Sequence, residues 1–159
     1  MEDLIMKKLI FIMLVLVFSL PAISQKRLSQ PKTKAEILNE KYCSGLFSTL
    51  HADYFDFLSD NATTSATVYL NVLDWLQGRV AGLQVYTARN GTRIPFIRNQ
   101  RAAVYVDEMW VSYDYLTMLP VTDIAMIKII KEPFLGGWGA GSGAIAIYTI
   151  RGEDEEETN

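Results

Sequence analysis

The residues that could bind a metal ion lie around the only histidine of the chain. His51 stands two residues before Asp53 and five before Asp56, and divalent metals use imidazole and carboxylate ligands. A zinc-type site needs three or four converging protein ligands, so one histidine with scattered carboxylates falls short. We therefore expect no metal site, and we expect His51 to be a surface or packing residue.

Asp107 and Glu108 are adjacent carboxylates that could suggest acid–base catalysis. The surrounding residues are β-rich, and neighbours on a strand point to opposite faces of the sheet. Such a pair cannot share a proton or a substrate. Since no serine–base pair or other catalytic constellation is visible either, we predict that the protein is not an enzyme and has no catalytic residues.

A glycine-rich segment, GGWGAGSG at 136–143, superficially resembles a phosphate-binding loop. It lacks the Gly-Lys-Ser/Thr ending, and it precedes a predicted strand, so no helix dipole would point at an anion. The sequence thus predicts no nucleotide and no other cofactor. The net charge of −3 gives no indication of nucleic-acid binding.

Cys43 is the only cysteine, which rules out an internal disulfide. We expect its thiol to be buried, and a disulfide to another chain is the alternative.

The N-terminus has the pattern of a secretory signal peptide. Lys7 and Lys8 precede an apolar run at 9–20, followed by Pro21 and the cleavage-site pattern Ala22-Ile23-Ser24, with small residues at 22 and 24. The apolar run is shorter than the roughly 20 residues that span a bilayer. We therefore predict a signal peptide at 1–24, export, and no transmembrane segment after cleavage; an uncleaved membrane anchor is the alternative.

The next part of the chain is predicted to contain a tether and one helix. Residues 25–34 are polar and include Pro31, which indicates a flexible tether. Residues 35–67 are assigned to an N-terminal helix and an irregular segment. Thr33 followed by Glu36 has the spacing of a capping box. The partial apolar stripe of this helix consists of Ala35, Ile37, Leu38 and Tyr42.

Residues 68–152 alternate between helical and β patterns. An amphipathic helix is predicted from Val68, ended by Gly82, with apolar positions at Tyr69, Val72, Leu73, Leu76 and Val80. Strands are predicted at 83–86, 94–98, 102–111, 124–131 and 144–150, with helical turns at 113–119.

Two local signals add detail to this pattern of helices and strands. Asn90-Gly91 indicates a hairpin turn, and Pro95 indicates an edge strand or bulge. The order of elements predicts a compact α+β domain with a small mixed β-sheet and short helices. Residues 153–159 are acidic and are expected to form a disordered, solvated tail.

The segment VLDWLQGRVAGLQV at 72–85 resembles the plug-domain signature of TonB-dependent receptors, in particular the SusC-like branch of the Bacteroidetes. Four further fragments match that pattern in order. They are PFIR at 95–98, AVYVDE at 103–108, LPVTDIAMIKIIK at 119–131, and the glycine-rich loop with the strand that follows it. The resemblance covers residues 68–152.

Three departures from the family pattern accompany this resemblance. A plug normally fills a β-barrel, and from the number of residues that such a barrel needs we expect that these 159 residues do not form it as well. No segment resembling a TonB box precedes the first helix. Glu108 stands where the family usually has glycine, and Ile150 where it often has lysine.

The resemblance implies a stand-alone plug-like module in the periplasm, at the inner face of the outer membrane. Its expected partner is an envelope protein linked to TonB-dependent nutrient uptake, such as an outer-membrane barrel or an associated lipoprotein. Aromatic residues in predicted loops are candidate contacts, with core packing as the alternative: Trp110, Tyr113, Tyr115 and Trp138. The alternative functions are a periplasmic sugar- or peptide-binding protein and a truncated transporter remnant.

Overall fold

A computed structural model describes residues 31–48, 52–58, 65–133, 143–152 and 154 of this chain. The chain divides into two compact units, Met1–Pro31 and Lys32–Asn159, and all elements named below belong to the second. The predicted signal peptide, His51 and Trp138 lie outside the described residues.

Two α-helices, eight strands and two 3₁₀ helices make up the described part of the second unit. The helices are α1 (Lys34–Tyr42) and α2 (Val72–Leu76). The strands are β1 (Asp53–Asp56), β2 (Leu83–Thr87), β3 (Arg93–Ile97), β4 (Gln100–Arg101), β5 (Ala103–Val106), β6 (Met109–Val111), β7 (Ile124–Ile130) and β8 (Ala144–Thr149). The 3₁₀ helices span Tyr113–Thr117 and Val121–Asp123.

The strands form two sheets. The larger has the order β1-β7-β8-β5-β6 and is mixed, because β5 and β8 run parallel while the other neighbours are antiparallel. The smaller is an antiparallel sheet in the order β2-β3-β4. This arrangement confirms the α+β fold class. Within the described residues, none of the helices has the length and hydrophobicity of a membrane-spanning segment.

The alternation of side chains along β8 explains why the larger sheet has a core on each face. Ile145 and Ile147 face a cluster that includes α2 and residues of the smaller sheet. Ala146 and Tyr148 face the opposite cluster, which includes α1. Because successive strand residues point to opposite faces, an uninterrupted apolar strand must be covered on both sides.

Helix α1 begins as the sequence predicts. The Thr33 hydroxyl accepts a hydrogen bond from the Glu36 N–H, and the Glu36 carboxylate accepts one from the Thr33 N–H. Leu38 and Tyr42 are buried, whereas Ile37 is exposed, so the predicted apolar stripe is only partly correct.

The second helix is shorter than predicted. It begins at Val72 rather than Val68, because the Asn71 side chain accepts a hydrogen bond from the Leu73 N–H and caps the helix there. It ends at Leu76, and Gly78 then takes a positive φ of 87°. A Cβ on Gly78 would meet no atom within 4 Å, so this glycine serves backbone conformation and not close packing.

Pro95 does not lie at an edge or bulge, contrary to the sequence prediction. It sits in β3, the central strand of the smaller sheet. The Ala102 N–H donates to the Pro95 carbonyl, but proline has no N–H to return the bond. The hydroxyl of Tyr113 donates to the Ala102 carbonyl instead, at 3.0 Å, which explains why a proline is tolerated in a central strand.

The predicted strand at 102–111 is two strands, β5 and β6. Asp107 and Glu108 form the tight turn between them, with φ values of 47° and 65°. This left-handed turn lacks glycine, the usual signal for it. Strand β1 was not predicted because its sequence, Asp-Tyr-Phe-Asp, has a weak β signal.

Candidate functional site: a sealed polar cluster and an exposed apolar segment

A buried lysine occupies the α1 side of the larger sheet. Lys128 of β7 is fully buried, and its Nζ donates to Asn39 Oδ1 at 2.6 Å and to the Phe47 carbonyl. The ammonium also lies 5.2 Å from the ring centroid of Tyr54. Burial lowers the pKa of Lys128. These contacts hold α1 and the following turn against the sheet.

Cys43 lies in the same sealed region. Its thiol is buried, as the sequence predicts, and it hydrogen-bonds with the Tyr148 hydroxyl. Burial raises the pKa of Cys43 and that of Tyr148. A buried thiol held in its protonated form is a poor nucleophile, so this group has a packing role.

Asp107 and Glu108 bind different partners. The Asp107 carboxylate accepts hydrogen bonds from the N–H and hydroxyl of Thr149, at 3.0 and 2.8 Å. The Glu108 carboxylate accepts from the N–H groups of Gly45 and Leu46, at 3.0 and 3.2 Å. The two carboxylates therefore fasten two segments to the turn and do not converge on a common point.

Asp154 is the one described residue of the predicted acidic tail, and it is buried instead of solvated. Its carboxylate accepts hydrogen bonds from the Tyr42 hydroxyl and the Arg151 N–H, and it pairs with Lys41 at 2.8 Å. Burial alone would raise the pKa of Asp154, but these partners outweigh it and hold the pKa below its usual value.

The two aspartates that lie close to His51 in the sequence, Asp53 and Asp56, form ion pairs. Asp53 pairs with Lys131 at 2.5 Å, and Asp56 pairs with Lys34 at 3.2 Å. Within the described ranges, no group of three or more His, Cys, Asp or Glu side chains could hold a metal ion.

Three of the candidate aromatic contacts lie within the described residues, and two of these three are exposed. Trp110 is 55% exposed and Tyr115 45%. Tyr113 instead packs against the core, where its hydroxyl bonds Ala102. Two methionines that sequence reasoning did not select flank the exposed pair: Met109 is 68% exposed and Met118 is 79%. We call Met109, Trp110, Tyr115 and Met118 the 109–118 segment.

A second surface feature lies on the smaller sheet. A groove of about 480 Å³, here the β2–β3 groove, is lined by side chains that include Gln84, Tyr86, Ile94, Phe96 and Asn99. The rings of Tyr86 and Phe96 meet edge to face with centroids 5.0 Å apart. The Tyr86 hydroxyl donates to Gln84 Oε1 at 2.9 Å and fixes the orientation of that amide.

Comparison with known proteins identifies a shared fold. No protein-family model matches this chain, and no curated protein matches it. Among solved structures, the chain is similar to the RagAB peptide importer in the "open-open" state, with a TM-score of 0.51 over 63% of this chain and 21% identity. A structure of the RagAB peptide transporter gives a TM-score of 0.51 over 63% of this chain and 22% identity.

A third neighbour is the ferric yersiniabactin uptake receptor FyuA from Yersinia pestis, with a TM-score of 0.52 over 68% of this chain and 17% identity. The chain spans 12% of each RagAB chain and 18% of the FyuA chain. These neighbours are TonB-dependent receptors, so the chain has a fold found within a part of such receptors.

Proposed function

We propose that this chain is a plug-like domain that acts as a non-enzymatic protein-interaction module in the bacterial cell envelope. The fold it shares with parts of TonB-dependent receptors supports the plug assignment. In this proposal the protein is exported to the periplasm and binds an envelope protein, such as an outer-membrane barrel or an associated lipoprotein. The interaction is linked to TonB-dependent nutrient uptake.

The exposure of the 109–118 segment is the observation that carries this proposal. Within ten residues of sequence, four large apolar side chains are between 45% and 79% exposed. Aromatic residues and methionine are enriched in protein interfaces, where they contribute much of the binding energy. The titratable groups near α1 are by contrast buried or hydrogen-bonded, and this favours binding over catalysis.

Co-purification from the native envelope tests the proposal. The tagged protein is recovered from the envelope fraction, and the proteins that accompany it are quantified by mass spectrometry. We expect one envelope protein in near-equal amount, and we expect its recovery to fall at least about tenfold in the Trp110→Gln/Met118→Gln variant.

Leu70→Gln is the control, because Leu70 is an apolar residue outside the segment that is even more exposed, at 96%. An equal loss with Leu70→Gln would contradict a contact through the 109–118 segment. A clean, monomeric protein without any partner would contradict the interaction module itself.

The β2–β3 groove favours a second candidate function, the capture of a sugar or peptide. Its aromatic rings could stack on an apolar ligand surface, and the amides of Gln84 and Asn99 could bond polar groups. A ligand screen by calorimetry with the wild-type protein and a Tyr86→Ser variant distinguishes this candidate, since only a groove ligand should lose affinity in the variant.

A further inference from the structure

We propose that strand β2 accepts an extended segment of a partner protein as an added β-strand, and that the β2–β3 groove binds an uncharged apolar side chain of that segment. This strand addition would specify how the proposed interaction module binds its partner. It rests on the proposed function only because it requires a protein partner. The site of contact differs from the 109–118 segment, so the two can be tested separately.

The backbone of β2 offers free hydrogen-bonding groups at the edge of its sheet. Arg98 donates to the Gly82 carbonyl at one end of the hairpin, and Ala88 donates to the Thr92 carbonyl at the other. Since bonding alternates along an antiparallel pair, residues 84 and 86 bond β3. Val85 and Thr87 therefore direct their N–H and C=O groups outward, where no backbone partner lies within the described ranges.

Edge strands are normally protected against such pairing, and the other edges here have protective features. Strand β1 carries Asp53 and Asp56. Strands β4 and β6 are only two and three residues long. Strand β2 is five residues long, with the sequence Leu-Gln-Val-Tyr-Thr, and contains no charge, proline or glycine. An edge strand of this length that lacks charged residues and proline is suited to pairing with an added strand.

The β2–β3 groove determines which side chain the added strand would place beside it. Tyr86, Ile94 and Phe96 supply apolar surface, Gln84 and Asn99 supply amides, and none of the lining side chains in the described part of the chain is charged. An added strand lies about 4.8 Å from β2 and presents alternate side chains to this face. An apolar, uncharged side chain fits the groove, whereas a carboxylate or ammonium would lose hydration there.

A second copy of this chain fits the same edge less well. Antiparallel pairing of β2 with another β2, symmetric about Val85, would set Gln84 of the second copy opposite Tyr86. A polar amide would then face the apolar part of the groove. The groove therefore favours a partner with a different side chain at that position.

The test uses a displayed library of random ten-residue peptides, selected on the purified wild-type protein. We expect enriched peptides that are uncharged and carry apolar residues at alternate positions. In ¹⁵N NMR spectra, the synthesised peptides should shift the amides of Val85 and Thr87 most. Thr87→Pro removes one outward N–H at an exposed position and should weaken binding about tenfold, while the matched Thr87→Ala variant keeps that N–H and retains affinity.

A second variant protects the test against misfolding of the proline variant. Gln84→Glu places a charge in the groove at an exposed position and should also weaken binding about tenfold. Failure to select any peptide, or peptides that bind both variants as tightly as wild type, would overturn the proposal. So would self-association of the wild-type protein that Thr87→Pro abolishes, because the occupant would then be a second copy. If the envelope partner still depends on Trp110 and Met118 in those cases, the proposed function stands without strand addition.

Discussion

The carboxylate of Glu108 accepts a hydrogen bond from the backbone N–H of Gly45 at 3.0 Å, joining two residues that are 63 positions apart. Glu108 holds a left-handed φ of 65° to make this contact. A Cβ on Gly45 would collide with the same carboxylate, so both residue types matter. Glu108, which takes a backbone conformation that usually favours glycine, thus anchors the segment after α1.

Glu108→Ala should destabilise the protein, because the N–H groups of Gly45 and Leu46 lose a charged acceptor. We expect the free energy of unfolding, measured with urea, to fall by about 1–3 kcal/mol. Glu108→Gly should cost about 1 kcal/mol less, since glycine adopts a positive φ without strain. A glycine variant that is less stable than the alanine variant would contradict this account.

Gly143→Ala should be far more damaging than Gly78→Ala. Both glycines have positive φ, but a Cβ at Gly143 would collide with the backbone carbonyl of Ile130, whereas one at Gly78 meets nothing within 4 Å. We expect a loss of about 3 kcal/mol or more for Gly143→Ala and about 1–2 kcal/mol for Gly78→Ala. Thermal unfolding of the two variants measures the difference in stability. Equal losses of stability would contradict the prediction, because they would mean that the backbone moves to avoid the clash with the Ile130 carbonyl.

Asp154 should contribute to the acid dependence of stability. Its folded pKa lies below that of an unfolded aspartate, so the unfolded chain binds more protons in the window between the two values. The stabilisation is present above about pH 5 and is lost as the pH falls through the folded pKa. The Asp154→Asn variant should therefore have a lower free energy of unfolding than wild type at pH 7. The difference between the two proteins should become smaller as the pH falls. Urea unfolding of both proteins at several pH values measures this difference in free energy. A difference that does not change with pH would contradict the prediction.

Cys43 should resist thiol reagents in the folded protein. The thiol is buried, and burial raises its pKa, so little thiolate is available at neutral pH. We expect labelling by a disulfide reagent only when the α1 region opens, with complete labelling in urea as the control. Glu108→Ala should accelerate labelling, because it weakens the attachment of the following turn. Rapid labelling of the wild-type protein would show that this region is open.

Much of the fold could be predicted from local signals. The capping box at Thr33, the hairpin turn at Asn90-Gly91, and the apolar strands β7 and β8 all appear where the sequence places them. Each of these features depends on interactions within a few residues, or on a strong apolar pattern, and can therefore be predicted from the sequence alone.

Elements that depend on distant partners were missed. Strand β1 forms because its backbone pairs with β7, despite the two aspartates in its sequence. Pro95 is accepted in a central strand because Tyr113, 18 positions away, supplies the hydrogen bond that proline cannot. Neither partner is encoded near the residue it supports.

The sequence by itself determined the α+β class, the burial of Cys43 and most of the order of helices and strands, because periodicity and turn residues act locally. Only the tertiary structure decided that Lys128 and Asp154 are buried while Trp110 and the methionines beside it are exposed. Burial of a charged group depends on which oxygens and amines the fold brings within about 3 Å, and exposure of an aromatic ring depends on what covers it. Both are properties of packing across the whole domain.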